Sequence, residues 1–238
     1  VQNMNDIDLA RSNSPRTTMI STIALPSGYR SRHRNCASKT FVAALLCCLV
    51  GAAAQADKPI PKKFQTTAEL SGYTETTPHS RVAQLMKQFA SASANIHLQT
   101  FGRTVENRRL LVAVVGKNVS SPQQVADKVV VLLLGNIHSG ECAGKEALLM
   151  LLRELSQRPD HPLFKKLVLL VVPNYNADAN ERVGTRHRPG QVGPNRMGRR
   201  ENAQQLDLNR DFVKLDAPET RALIGLSNRW SPHAFMDL

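Results

Sequence analysis

Apolar and polar positions alternate with two periods along residues 57–238, and the switches between them outline the elements. From His79 to Ser93 the apolar residues Val82, Leu85, Met86 and Phe89 recur at helical spacing and predict an amphipathic helix. Two short β-prone runs follow, Ile96–Phe101 and Leu110–Val115, joined around Glu106-Asn107-Arg108 as a hairpin. Lys128–Leu134 is apolar throughout, as a strand covered on both faces must be. Residues 142–157 read as a helix and Leu167–Val172 as a second buried strand, so the three together predict a right-handed crossover between parallel strands. Pro173–Leu206 is rich in Asn, Gly and Arg and poor in apolar residues, which predicts a long loop. A helix from about Ala217 to Arg229 and a strand beginning near Ala234 complete the pattern. Residues 57–70 predict an extended segment, and no internal repeat occurs. The fold class is α/β, and one catalytic-sized domain over 57–238 is expected.

Ahead of this lies a different pattern. Tyr29–Thr40 is basic and lacks acids, Phe41–Ala54 is apolar but too short to span a bilayer comfortably, and Ala54-Gln55-Ala56 places small residues where a leader peptidase cuts. Residues 29–56 therefore read as a cleavable signal peptide ending at Ala56, and residues 1–28 as unstructured leader or upstream translation. The expected destination is secreted or periplasmic, with no stable membrane anchor. Cys36, Cys47 and Cys48 fall in the leader; only Cys142 remains beyond it, so no internal disulfide is expected, and a small packing role is.

The net charge is +12, of which residues 1–56 carry +4. No basic run is interleaved with aromatics, so the charge gives no reason to expect a nucleic-acid partner. With 42% hydrophobic but only 5% aromatic residues, the core must be aliphatic.

The candidate chemistry sits at Gly135–Ala147, GNIHSGECAGKEA. His138 lies just past the C-terminal end of a buried strand, where open α/β sheets place ligands. Glu141 follows within a tight loop, and imidazole nitrogen with carboxylate oxygen makes a good zinc pair. The bland alternative is a loop-capping His and a Glu decorating the first helical turn.

The segments TTAELSGYTETT, H-x-x-E and DLNRDF, in that order, give the chain from about Thr67 to Leu238 a resemblance to zinc carboxypeptidases of the A/B type. The resemblance implies a mixed, mostly parallel central sheet with helices on both faces, and one zinc ion. It implies His138 and Glu141 as the first two metal ligands, and Asn209 with Arg210 as the grip on the substrate's terminal carboxylate. Arg200 is implied as the residue that polarises the scissile carbonyl and steadies the oxyanion, with Arg196 and Arg199 close by. Each type suits its role: guanidinium forks match carboxylates, and a fixed cation lowers the energy of a developing oxyanion. Arg182, Arg186 and Arg188 are expected on a solvated surface.

The family's third zinc ligand is a His that would directly follow Leu238, and its general-base Glu comes later still. His233 opens the last strand, roughly 20 Å short of that point at ~3.3 Å per residue, and nothing recommends His187. The sequence is thus expected to be the N-terminal part of an exported metallocarboxypeptidase acting on peptide C-termini, inactive as it stands. A zinc acylase of N-acyl amino acids and an inactive peptide-binding chain stay open as alternatives.

Overall fold

A computed structural model describes residues 59–238, which fall within one compact unit, Asp57–Leu238. The leader and signal-peptide expectations for residues 1–56 lie outside the described residues.

The described chain opens with α1 (Thr67–Leu70) and α2 (His79–Ala92). The antiparallel hairpin of β1 (Ile96–Arg103) and β2 (Arg109–Val115) follows. Next come β3 (Val129–Leu134), α3 (Cys142–Gln157), β4 (Leu167–Val172), α4 (Ala177–Glu181), α5 (Pro218–Trp230) and β5 (Ala234–Asp237). The sheet order is β1-β2-β4-β3-β5. β4, β3 and β5 run parallel, while β2 joins β4 antiparallel. The sheet is therefore mixed, its four pairings divided equally, and the parallel half carries the candidate chemistry.

The predicted hairpin turns at Asn107, which adopts a left-handed φ of 65°, a conformation that Asn tolerates better than most residues. Burial on both faces explains the unbroken apolar runs of β3 and β4. On one face Val130, Leu132, Leu134, Val168, Leu170 and Val172 share a core with Leu223, Leu226 and Trp230 of α5. On the other lie α2 and α3, packed on each other through the apolar stripes the sequence showed. Parallel strands joined through a helix send their C-terminal ends to the same rim, and His138 stands there.

Two expectations need correction. Of the segment expected to be extended, the described residues 59–70 are not: a 3-10 turn at Lys62–Phe64 precedes α1, which Thr66 caps through a capping box with Glu69, whose carboxylate also holds Arg153 at 2.6 Å. Nor is Pro173–Leu206 one open loop. Residues 173–180 are buried and hold most of α4, because their asparagines bond to Asn136 and to the carbonyls of Thr77, Ile137 and Arg200 instead of water.

Candidate active site

Four asparagines build the rim. Asn136, just past β3, has a left-handed φ of 67°, and its amide nitrogen reaches Ser139 Oγ, Asn174 Oδ1 and Asn180 Oδ1 at 2.6–3.2 Å. Asn176 donates to the carbonyls of Ile137 and Arg200, both at 3.1 Å. The Ser139 N–H donates to the Arg199 carbonyl at 2.9 Å. These bonds clamp the His138 loop, the end of β4 and the segment around Arg200 into one unit. Buried amide hydrogen bonds of this kind hold a unit rigid, even though Asn136 Oδ1 itself has no partner among the described residues.

His138 is 4% exposed within it. Its Nε2 lies 2.9 Å from Asp207 Oδ1, and its Nδ1 lies 3.1 Å from Glu141 Oε2. With an Nε2 proton donated to the anionic Asp207, Nδ1 presents a lone pair toward a carboxylate that presents one as well. A proton or a metal cation between them reconciles the two. Glu141 occupies the N-cap position of α3 but makes no side-chain cap bond. Its carboxylate instead meets His138 and Arg188.

Arg200 donates to Asp207 Oδ2 from Nε and Nη2 at 3.1 and 2.8 Å, and its Nη1 lies 3.4 Å from His138 Nδ1. Burial pushes the Asp207 carboxyl up, but hydrogen bonds from His138, Arg200 and the Asn209 N–H together hold it below its ordinary value. Glu141 is likewise raised by burial and lowered further by Arg188 and His138, ending below the usual range.

The structure thus joins His138, Glu141 and Arg200 into one cluster. Asn209 and Arg210 follow on a 3-10 turn capped by Asp207, and the exposed Arg210 guanidinium bonds to the Asn209 carbonyl. They stand beside the cluster without touching His138. Asp207 was not singled out in the sequence, although D-x-N-R carried the signal: a ligating His needs a carboxylate behind it. Arg188 is a correction. It is no solvated surface residue, since it bonds Glu141 and its side chain is only 18% exposed. Arg182, in contrast, pairs with Glu106 near the surface.

The two histidines weighed as a third ligand are engaged elsewhere. His233 Nδ1 accepts from the Val130 N–H at 3.1 Å, at the opposite end of β3, and His187 Nδ1 lies 3.1 Å from the Met197 carbonyl. Cys142 is buried against the carbonyls of Ser139 and Gly140, as a packing residue would be. Among the described residues no group of three or more His, Cys, Asp or Glu could hold a metal.

The zinc carboxypeptidase profile matches residues 82–237, which spans the sheet and this cluster. The chain belongs to the zinc carboxypeptidase family. Among curated relatives, carboxypeptidase 2 of Trichophyton equinum is 27% identical over 184 residues, covering 75% of this chain and 30% of the relative. Human carboxypeptidase Z is 28% identical over 170 residues, covering 68% and 24%. A metallo-carboxypeptidase from Burkholderia cenocepacia shares the fold with a TM-score of 0.55 at 23% identity, covering 69% of this chain and 41% of that one. The chain spans 18–30% of the length of the curated relatives it matches.

Proposed function

We propose that this chain carries the first part of a zinc-dependent carboxypeptidase centre, which releases C-terminal residues from peptides. The observation that supports it is His138 itself. One nitrogen is braced by Asp207 and the other faces Glu141, at the C-terminal rim of a parallel trio of strands. His138 Nδ1 and Glu141 are the ligands in this reading. A bound zinc ion supplies Lewis acidity toward the scissile carbonyl and acidifies its water.

The chain's own residues do the rest. Asp207 fixes the imidazole tautomer and orientation. Arg200 stands by the metal-facing nitrogen and turns its guanidinium to the oxyanion as charge develops. Asn209 and Arg210 select the free carboxylate of the substrate by charge-assisted hydrogen bonds. A cleft of about 610 Å³ lies beside Glu141, lined also by Thr76, Gly144, Val192 and Leu238, while His138, Arg200, Asn209 and Arg210 stand outside its lining. The third ligand is expected on the residue following Leu238. The Leu238 N–H donates to the Leu134 carbonyl at 3.0 Å, so β5 delivers the chain beside the His138 loop. Export through residues 29–56 remains part of the proposal. Among the described residues no helix is long and apolar enough to cross a membrane.

The test is release of free amino acid from a peptide by the full-length protein, with and without a chelator. Activity lost with the chelator, regained with zinc and abolished in His138→Ala supports the reading. Activity indifferent to all three, or cleavage confined to N-acyl groups, overturns it.

A further inference from the structure

The first turn of α5 holds a carboxyl that the proposed reaction does not use. Glu219 is fully buried, and no ion pair offsets its charge among the described residues. Burial is the main reason its pKa lies above the ordinary value; its own N–H and those of Asn202 and Val105 oppose the rise, and nearby Asp178 adds to it. Capping the helix does not account for so costly a group, because Asp211 already accepts from the Ala217 N–H at 2.9 Å. The two oxygens of Glu219 reach away from α5 instead. Oε1 accepts from the Val105 N–H at 3.4 Å, at the β1–β2 turn, and Oε2 accepts from Asn202 Nδ2 at 3.2 Å.

Asn202 is buried and ties together the turn that separates Arg200 from Asp207. Its Oδ1 accepts from the N–H groups of Gln204 and Leu206 at 2.9 and 3.0 Å, and its own N–H donates to the Leu206 carbonyl at 2.9 Å. Gln205 completes the reversal with a left-handed φ of 63°. Arg200 and Asp207 therefore stand at the mouth of this turn, bonded to each other, and Asp207 reaches His138. Of the Asn202 side-chain bonds, the one that leaves the turn goes to Glu219.

We propose that Glu219 is a positioning residue for the site: through Asn202 it anchors the Arg200–Asp207 turn to α5 and so fixes where Asp207 meets His138. The inference rests on the reading of His138, Asp207 and Arg200 as parts of a peptidase site. A carboxylate is the strongest acceptor a side chain can offer an amide N–H, and burial strengthens the bond further. Placed on a helix packed into the core, it holds a surface turn to the tolerance that catalysis requires, where small misplacements are expensive in rate.

Asn202→Asp keeps both acceptor bonds inside the turn and deletes the donor to Glu219, leaving two carboxyl groups face to face. In the full-length protein it should lower kcat/KM for a free-acid peptide by about tenfold to a hundredfold. Adding Glu219→Gln restores the hydrogen bond with its polarity reversed, and should return kcat/KM to within about threefold of the parent. In an Asp207→Asn background, Asn202→Asp should cost less than about threefold more, because both changes act through the same carboxylate. A folded Asn202→Asp protein with the parent's kcat/KM would overturn the proposal. So would a double variant that recovers nothing, or losses that multiply fully with Asp207→Asn. Hydrogen exchange of the unaltered protein needs no variant to fold: the Gln204 and Leu206 amides should be protected to a degree comparable with those of α5. Exchange there at the rate of an open loop would mean that nothing holds the turn, and would also overturn it. His138→Ala tells the two failures apart. If peptide cleavage survives without His138, the peptidase reading fails and takes this inference with it; if cleavage needs His138 yet ignores Asn202, only the present inference falls.

Discussion

Asp207 and His138 meet at 2.9 Å across 69 residues of sequence, and this contact decides which imidazole nitrogen faces Glu141. Replacing Asp207 with Asn keeps the shape but removes the charge that favours an Nε2 proton, and it leaves Arg200 without its partner. Metal affinity should fall about tenfold to a hundredfold, the usual cost of losing a carboxylate behind a ligating His. Zinc titration of Asp207→Asn checks this. An affinity equal to the parent's would show that the brace does not tune the ligand.

The arginines should separate kinetically in the full-length protein. If Asn209 and Arg210 grip the substrate's carboxylate as proposed, Arg210→Ala should cost about 2–5 kcal/mol in kcat/KM for free-acid peptides. It should also abolish most of the preference for a free over an amidated C-terminus. Arg200→Ala should keep that preference while lowering kcat at least as much as it raises KM, because its contact strengthens in the transition state. If Arg210→Ala still discriminates acid from amide like the parent, the grip lies elsewhere.

Asp211 accepts from the N–H groups of Asp216 and Ala217, both at 2.9 Å, where α5 begins. Burial raises its carboxyl, but the Ala217 N–H, Thr220 and Asp216 lower it more, so the folded value lies below the ordinary one. A depressed carboxylate contributes stability that is complete above the unfolded value, about 3.9, and is lost as pH falls through the folded value. Asp211→Ala should therefore cost about 1–2 kcal/mol at neutral pH. The gap from the parent should narrow below about pH 4. Urea unfolding at several pH values measures it; a gap independent of pH would contradict the assignment.

Gly144, in the first turn of α3, faces the end of β5. A Cβ there would stand 2.5 Å from the Leu238 carbonyl oxygen. Helix propensity favours Ala over Gly by about 1 kcal/mol, whereas overpacking costs about 1–3 kcal/mol. The clash should win: Gly144→Ala should lower stability and speed exchange of the Leu238 amide, now bonded to Leu134. Slower exchange there would mean that β5 shifts without strain.

The elements with a strong period were legible. β4 and α3 begin and end where the apolar pattern does, because burial on two faces or one helical stripe writes itself into consecutive residues. His138 and Glu141 were legible through their place between strand and helix. Asp207 and Arg188 were not, since each meets its partner only after the chain has folded back over 69 and 47 residues. Residues 173–180 misled for another reason: asparagines that bond a buried partner such as Asn136 look, in composition, like asparagines facing water. Thr66 and Glu69 carried the capping-box signature of α1, which the expectation of an extended segment passed over.

β5 joins β3 by pairing Val131 with Ala234, the most distant partners in the sheet, whereas the β1–β2 hairpin and the β3–α3–β4 unit close over far shorter spans. Loop-closure entropy makes the long pairing the last to repay its cost. The rim beside His138 is therefore finished only when the sheet is, and a cation bound there reports a chain that has completed folding rather than one that has merely collapsed.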